Sequence, residues 1–462
     1  MCYVTAVRMN VFVFLLLFVK ILCVTGKYNW DYKGYKVYNV DLKTEDQEKQ
    51  FHRLKSDAVD YWRKPSVKHG VVGQAMVPPS HEEWFEEQLE LLGVEKDIAI
   101  EDVYDYLAEK DSNVVRIARN DADGGASDDN GPEDDDDIED SGEQDIGSEE
   151  NVSEDDDDES VDDFDFTDYY RYDKILAHLY RLQESYTNST TSLEVIEFGR
   201  TEENRPLVYL KLTNMNNQID IQKPVIVVEA GIIPREWITI PVSFYVVEKV
   251  LDEATFLDDF EWVIIPVLNP DGYEYTHTNL RFWTKSRSTN SNLGFICPGV
   301  NINRNFDIDW LNFDSSSSAC SHLFAGVSPF SEIESQLVRF IIEEFGSRLR
   351  MYISLQNTGG FISYPWHYER AASGMFRQHL LLGRDMLAAM EDEYSLDIAA
   401  EATGDRVSGT STDYARNATV LYTFNVDVVP RGTDAVLVPK EEIVDIAEDV
   451  FRAVSVAANG VL

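Results

Sequence analysis

Lys223–Thr239 reads KPVIVVEAGIIPREWIT. Val225–Val228 is an unbroken β-branched run, as expected of a strand buried on both faces, where no polar side need alternate with an apolar one. Gly231 ends the run, and a helix-like stretch starts near Arg235-Glu236-Trp237 and continues to Asp252. Three further runs have the same character: EWVIIPVLNP (Glu261–Pro270), MYISLQNTGG (Met351–Gly360) and VLYTFNVDVV (Val420–Val429). Helix-like runs separate them, over Trp237–Asp252, Ser331–Glu344, Met375–Glu393 and Lys440–Ala457. This pattern predicts an α/β fold, a mixed and mainly parallel sheet sandwiched by helices. Sites in open α/β sheets form at the carboxyl ends of strands. The Gly231–Glu236 turn, the Gln356–Gly360 turn and the Asn425 region are therefore the candidates.

Working outward, the sheet domain is expected over 166–462. Residues 27–110 read as a small α+β domain. GYKVYNV (Gly34–Val40) alternates like a strand, Thr44-Glu-Asp-Gln opens a helix through EDQEKQFHRLKSDAV, and His81–Val94 forms a second helix. Residues 111–165 are expected to be an acidic, disordered linker. From Asp121 to Asp165 there are 24 Asp and Glu and no Lys or Arg, too little apolar surface to fold. Residues 1–26 read as a signal peptide. Arg8 supplies the basic start, Val11–Phe18 the apolar core, and Val24 and Gly26 the small residues before cleavage. The expected destination is the extracellular space.

The net charge of −44 excludes a general affinity for nucleic acid or anionic membrane surfaces. Within the acidic segment no calcium-loop order occurs, so its possible ligands are weakly held cations or basic proteins. After the signal, Cys297 and Cys320 remain. They form one disulfide or stay as two buried thiols. Asn151, Asn188 and Asn417 each begin an N-x-S/T glycosylation triplet.

Beyond these readings, several motifs occur in a telling order: AGIIPREWI, LNPDGYEYTHTNLRFWTKSRS, GVNINRNFDIDW, GVSPFSEIES, YISLQNTGGFISYPWHY and YTFNVDV. In that order they resemble the zinc metallocarboxypeptidases of the pancreatic carboxypeptidase A/B type (peptidase M14), over about 166–462. YKGYKVYNVDLKTEDQ (Tyr32–Gln47) resembles the family's N-terminal activation domain. Cys297 and Cys320 fall where such enzymes have a disulfide.

The resemblance implies a zinc ion held by two His and one Glu, with the fourth position open. At those places this chain has Ile233, Gln356 and Glu236, so only the Glu is retained. A neutral amide is a poor zinc ligand beside imidazole. The general base, a Glu in the family, is Asn425 here, and an amide does not titrate near pH 7. Asp427 lies two residues on, about 6.6 Å along a regular strand. The Arg that stabilises the oxyanion is replaced by Thr284, and Asp405 falls where the family's mobile Tyr lies. Of the eight His, none sits at H-x-x-E spacing, and His277 and His367 read as structural or surface residues.

Other positions keep the family's residue type. Arg235, Asn303 and Arg304 match the residues that grip the substrate's terminal carboxylate, a task suited to the planar guanidinium fork. The structural alternative for Asn303 and Arg304 is a buried ion pair. Thr412 falls at the bottom of the specificity pocket and does not favour basic side chains.

These residues predict a secreted, carboxypeptidase-like protein that lacks catalysis and a bound cofactor, and whose partners are peptide or protein C-termini. Two alternatives are an active zinc carboxypeptidase with unusual ligands, and an acidic extracellular scaffold in which the charged segment carries the role. No Lys or Arg lies between Arg119 and Arg171, so a trypsin-like protease could cut only at the flanks of the acidic block.

Overall fold

The computed structural model describes residues 28–54, 56–114, 164–187, 190–214, 223–357, 359–431 and 436–462. The signal segment, most of the acidic segment and the triplets at Asn151 and Asn188 lie outside these residues.

The N-terminal part is a four-stranded antiparallel sheet built from β1 (Lys36–Val40), β2 (Asp60–Arg63), β3 (Gly73–Val77) and β4 (Asp97–Ile100), in the order β2-β3-β1-β4. Helix α1 (Glu45–Phe51) starts at a capping box. The Gln47 amide N–H donates to the Thr44 hydroxyl oxygen, and the Thr44 amide N–H donates to the Gln47 side chain. It stops at Phe51, well short of the run read from sequence, and Leu54 and Val59 of that run reach the same core from outside the helix. Phe51 packs with Tyr38, Phe85 and Leu89, the last two from α2 (Glu82–Leu91). Helix α3 (Val103–Val114) follows β4.

The second part is centred on an eight-stranded mixed sheet. Its strands are β5 (Thr191–Arg200), β6 (Pro206–Asn214), β7 (Val225–Glu229), β8 (Glu261–Ile265), β9 (Leu349–Gln356), β10 (Phe361–Tyr364), β11 (Ser395–Ile398) and β12 (Tyr422–Asp427), in the order β11-β10-β12-β9-β7-β8-β6-β5. The β8-β7-β9-β12 centre and the β10-β11 pair are parallel. The long β5–β6 hairpin and the β10–β12 contact are antiparallel. The sequence reading located the four central strands and missed the four outer ones. β10 and β11 are only four residues long and β5 is half-exposed, so these lack a long apolar run; β6 does carry one, Leu207–Leu210, and was missed all the same.

Alternate residues of the central strands feed two cores. On one face Ile226, Val228, Ile264, Ile353 and Phe424 pack against the helices Thr239–Asp252 (α5) and Ile443–Gly460 (α12). On the other, Val225, Val227, Val263 and Tyr352 meet Leu337, Val338 and Ile341 of the helix Ile333–Phe345 (α8). Between them run the helices α4 (Tyr172–Ser185), α6 (Ala254–Asp259), α7 (Pro270–Thr278), α9 (Phe376–Ala389), α10 (Ala399–Ala402) and α11 (Ser411–Asn417).

The two parts are docked together. The Trp62 ring lies 4.6 Å from that of Phe282, Tyr28 donates its hydroxyl to the carbonyl of Thr276, and Asn29 accepts from the amide of Arg281. No helix among the described residues is long and apolar enough to cross a membrane.

Candidate functional site

The site lies at the carboxyl ends of β7, β9 and β12, beneath the N-terminal sheet. After β7 the chain turns at Gly231, whose φ of +67° suits glycine. A Cβ there would come within 3.2 Å of the Val267 backbone, so the turn packs directly on the neighbouring loop. This turn presents Ile233, Arg235 and Glu236.

Parallel pairing of β9 with β12 sets Ser354 opposite Asn425 and Gln356 opposite Asp427. Gln356 donates from Nε2 to the Asn425 Oδ1 at 3.0 Å and to the Ser354 hydroxyl at 3.1 Å. The Thr412 hydroxyl, 3.3 Å away, donates to the same Asn425 oxygen. Glu236 is buried and accepts from the Asn357 amide at 2.9 Å, and burial pushes its carboxyl up to about 8 against the opposing pull of Arg235. Ile233 packs on the apolar cluster of the second core. The donor set facing one another here is one carboxylate, one amide committed to another amide, and an alkyl group. That set does not fit a zinc ion, which needs three strong ligands. Among the described residues no group of three or more His, Cys, Asp and Glu is arranged to hold a metal.

The Asp427 carboxylate accepts from the Phe361 amide at 3.1 Å on the neighbouring β10. Thr284 is buried and donates to the carbonyl of His322 at 3.4 Å. Asp405 does reach the site. It is part-exposed, accepts from the Arg406 amide and lines the same cavity as Glu236 and Thr284.

The two arginines each face a carboxylate from their own chain. Arg235 pairs with Asp60 of β2 at 2.5 Å, and both side chains are about nine-tenths buried. Arg304 pairs with Asp314 at 2.7 Å, and Lys64 reaches the other oxygen of Asp314, also at 2.7 Å. The ion-pair alternative for Arg304 is thus what the structure contains. Asn303 accepts from the Ser411 amide at 3.1 Å. Cys297 and Cys320 form a disulfide with Cα atoms 4.9 Å apart, and the loop it closes carries Asn303, Arg304 and Asp314. Asn417 is exposed at the end of α11.

Asp60, Lys64 and Asp314 were not read from sequence as site residues. Asp60 and Lys64 come from the N-terminal sheet, and nothing local in the sequence links them to Arg235 and Arg304. His367 was read as structural or surface. It is buried beneath the pocket, where its backbone N–H donates to Asp413 and its Nδ1 lies 3.5 Å from that carboxylate. Its Nε2 lies 3.5 Å from the Asn425 amide nitrogen. Among the described residues, two cavities lie between the domains. One of about 200 Å³ is bounded by Glu236, Thr284, Arg304, Tyr61 and Lys64, and one of about 100 Å³ by Ile233, Asn303, Gln356, His367 and Trp62.

The comparisons agree with this architecture. The family model "Zinc carboxypeptidase" matches residues 175–453, and "Carboxypeptidase activation peptide" matches 38–110. Carboxypeptidase B of Helicoverpa zea is 30% identical over 443 residues, covering 93% of this chain and 94% of that protein. Carboxypeptidase B of Astacus astacus is 30% identical over 304 residues, 64% of this chain and 97% of that one. The crystal structure of carboxypeptidase A from Helicoverpa armigera matches with a TM-score of 0.76 at 27% identity, covering 93% of this chain and 98% of that one. The chain belongs to the zinc carboxypeptidase family, peptidase M14, and carries that family's activation-peptide domain at its N-terminal side.

Proposed function

We propose that this chain is a secreted, non-catalytic member of the zinc carboxypeptidase family. The observation that carries the reading is the Gln356–Asn425 amide pair beside Ile233. Where the resemblance expects a His ligand and a general-base Glu, two amides satisfy each other. Thr284 removes the oxyanion's cation as well. The signal-like N-terminus and the disulfide support an extracellular setting.

The test is peptide hydrolysis. The purified chain, with and without proteolytic treatment at the flanks of the acidic segment, is incubated with zinc and peptides ending in basic, aromatic and acidic residues. The reading expects no release of C-terminal residues. Release that a chelator abolishes would restore the enzyme reading.

A second reading, a binder of peptide C-termini, is favoured by one observation. Asn303 and Arg304 line the cavities beneath the N-terminal domain, with Arg235 beside them. In this reading a terminal carboxylate displaces the carboxylates that now face the two arginines.

A further inference from the structure

We propose that Asp314 is a built-in carboxylate ligand of Arg304, so that the pocket accepts a free carboxylate only when Asp314 gives way. The inference rests on reading Arg304 as a carboxylate-binding residue.

Three faces of the Arg304 guanidinium are taken by the chain itself. Nη2 donates to the Asp314 carboxylate at 2.7 Å, Nε to the Asp314 carbonyl at 2.6 Å, and Nη1 to the Asn303 carbonyl at 3.0 Å. Only Nη2 meets the carboxylate, in a single charge-assisted hydrogen bond, and the other two donors are held by backbone carbonyls. The Asp314 carboxylate therefore takes the one guanidinium nitrogen that the backbone leaves for a carboxylate.

The loop is bent to achieve this. Asp314 has a φ of +44°, in the left-handed region that favours glycine, and Asp309 and Leu311 of the same loop also have positive φ. The disulfide Cys297–Cys320 anchors both ends of this loop. A substitution by glycine therefore removes the carboxylate while suiting the backbone, which separates the charge from the fold.

The charges do not balance. Two cations, Lys64 and Arg304, converge on one carboxylate. Burial alone would push the Asp314 carboxyl up, but Lys64 and Arg304 outweigh it and hold it well below the usual carboxylate range. Both cations and Asp314 line the cavity of about 200 Å³. Removing the Asp314 side chain leaves Lys64 and Arg304 without this carboxylate at a cavity whose other acidic groups are Asp57, Asp60, Glu236 and Asp405.

The experiment is rescue by formate, read as the melting temperature of the full chain in sodium formate against sodium chloride at matched ionic strength. Four proteins are compared: wild type, Asp314→Gly, Asp314→Asn and the double variant Asp314→Gly with Arg304→Met. Asp314→Gly is expected to rise by several degrees more in formate than in chloride, because a ligand that binds only the folded state stabilises it. Wild type and the double variant are expected to show no such preference. Asp314→Asn keeps the side-chain shape and is expected to prefer formate too, which covers poor folding of the glycine variant. Equal responses to formate and chloride in both single variants would overturn the proposal. So would a formate preference of the same size in wild type or in the double variant. The Arg304→Met background separates the arginine's contribution from that of Lys64, and zinc content reads the loss of catalysis, so either can fail without the other.

Discussion

The side-chain amide of Gln356 donates to the side-chain oxygen of Asn425 at 3.0 Å, between the ends of β9 and β12. Family resemblance places a zinc ligand at the first residue and a general base at the second. Neutral amides of complementary polarity close on each other, where a metal centre needs a strong donor and a titratable acid.

Restoring the ligands tests whether the site is lost only at those positions. Ile233→His with Gln356→His recreates two imidazoles beside Glu236. The double variant is expected to take up one zinc per chain, at a cost of about 1–3 kcal/mol in stability from the broken Gln356 hydrogen bonds and the lost Ile233 packing. Peptide hydrolysis is expected to stay absent until Asn425→Glu and Thr284→Arg are added. Elemental analysis and a chelator-controlled peptide assay read the two steps separately. Activity in the double variant alone would mean another residue serves as base.

The Asp60–Arg235 pair joins the domains across 175 residues of sequence. Asp60→Ala leaves a buried guanidinium unpaired, and is expected to cost about 3–4 kcal/mol, the lower part of the buried-pair range because both groups keep some solvent. Urea unfolding measures this. Asp60→Ala combined with Arg235→Met should recover part of the loss, and additive losses would show that the pair is not coupled.

Glu334 near the start of α8 is buried with Glu332, Asp271 and Glu202 around it, and burial foremost pushes its carboxyl up to about 8 from the usual 4.5. The folded state then holds a proton that the unfolded state releases. Stability from this group is full below pH 4.5 and is lost as pH rises toward 8. Glu334→Gln is expected to remove that loss and to gain stability at pH 8 relative to wild type, with little change at pH 4.5. The upper bound is roughly 5 kcal/mol at ~1.4 kcal/mol per unit. Urea unfolding at both pH values checks the sign, and an equal effect at the two would contradict it.

Cys297→Ser with Cys320→Ser releases the loop carrying Asn303, Arg304 and Asp314. The chain-entropy view expects a loss of about 3 kcal/mol for a loop of this length. A lowered melting temperature, matched by chemical reduction of wild type, is the expected result. No change would mean the loop is held by its other contacts.

The parts of this structure that were legible in sequence are local ones. Val225–Val228 announces its strand because burial on both faces leaves no polar alternation. Ile233, Gln356, Asn425 and Thr284 stand inside short motifs whose chemistry needs one residue type at one offset, so their replacement could be read without coordinates. The edge strands β5 and β11 lacked that signal because their residues are half-exposed. Asp314 stayed hidden for another reason: ten residues separate it from Arg304, and only a loop with left-handed turns brings them together. Asp60 and Lys64 meet their partners through domain docking, which no sequence periodicity encodes.

The most direct test of the central claim is the zinc content of the purified full chain, by elemental analysis after dialysis against trace metal. With Ile233 and Gln356 where the resemblance expects imidazole ligands, the prediction is no stoichiometric zinc. About one zinc per chain, removed by a chelator, would contradict it and would mean that residues other than Ile233 and Gln356 complete the site.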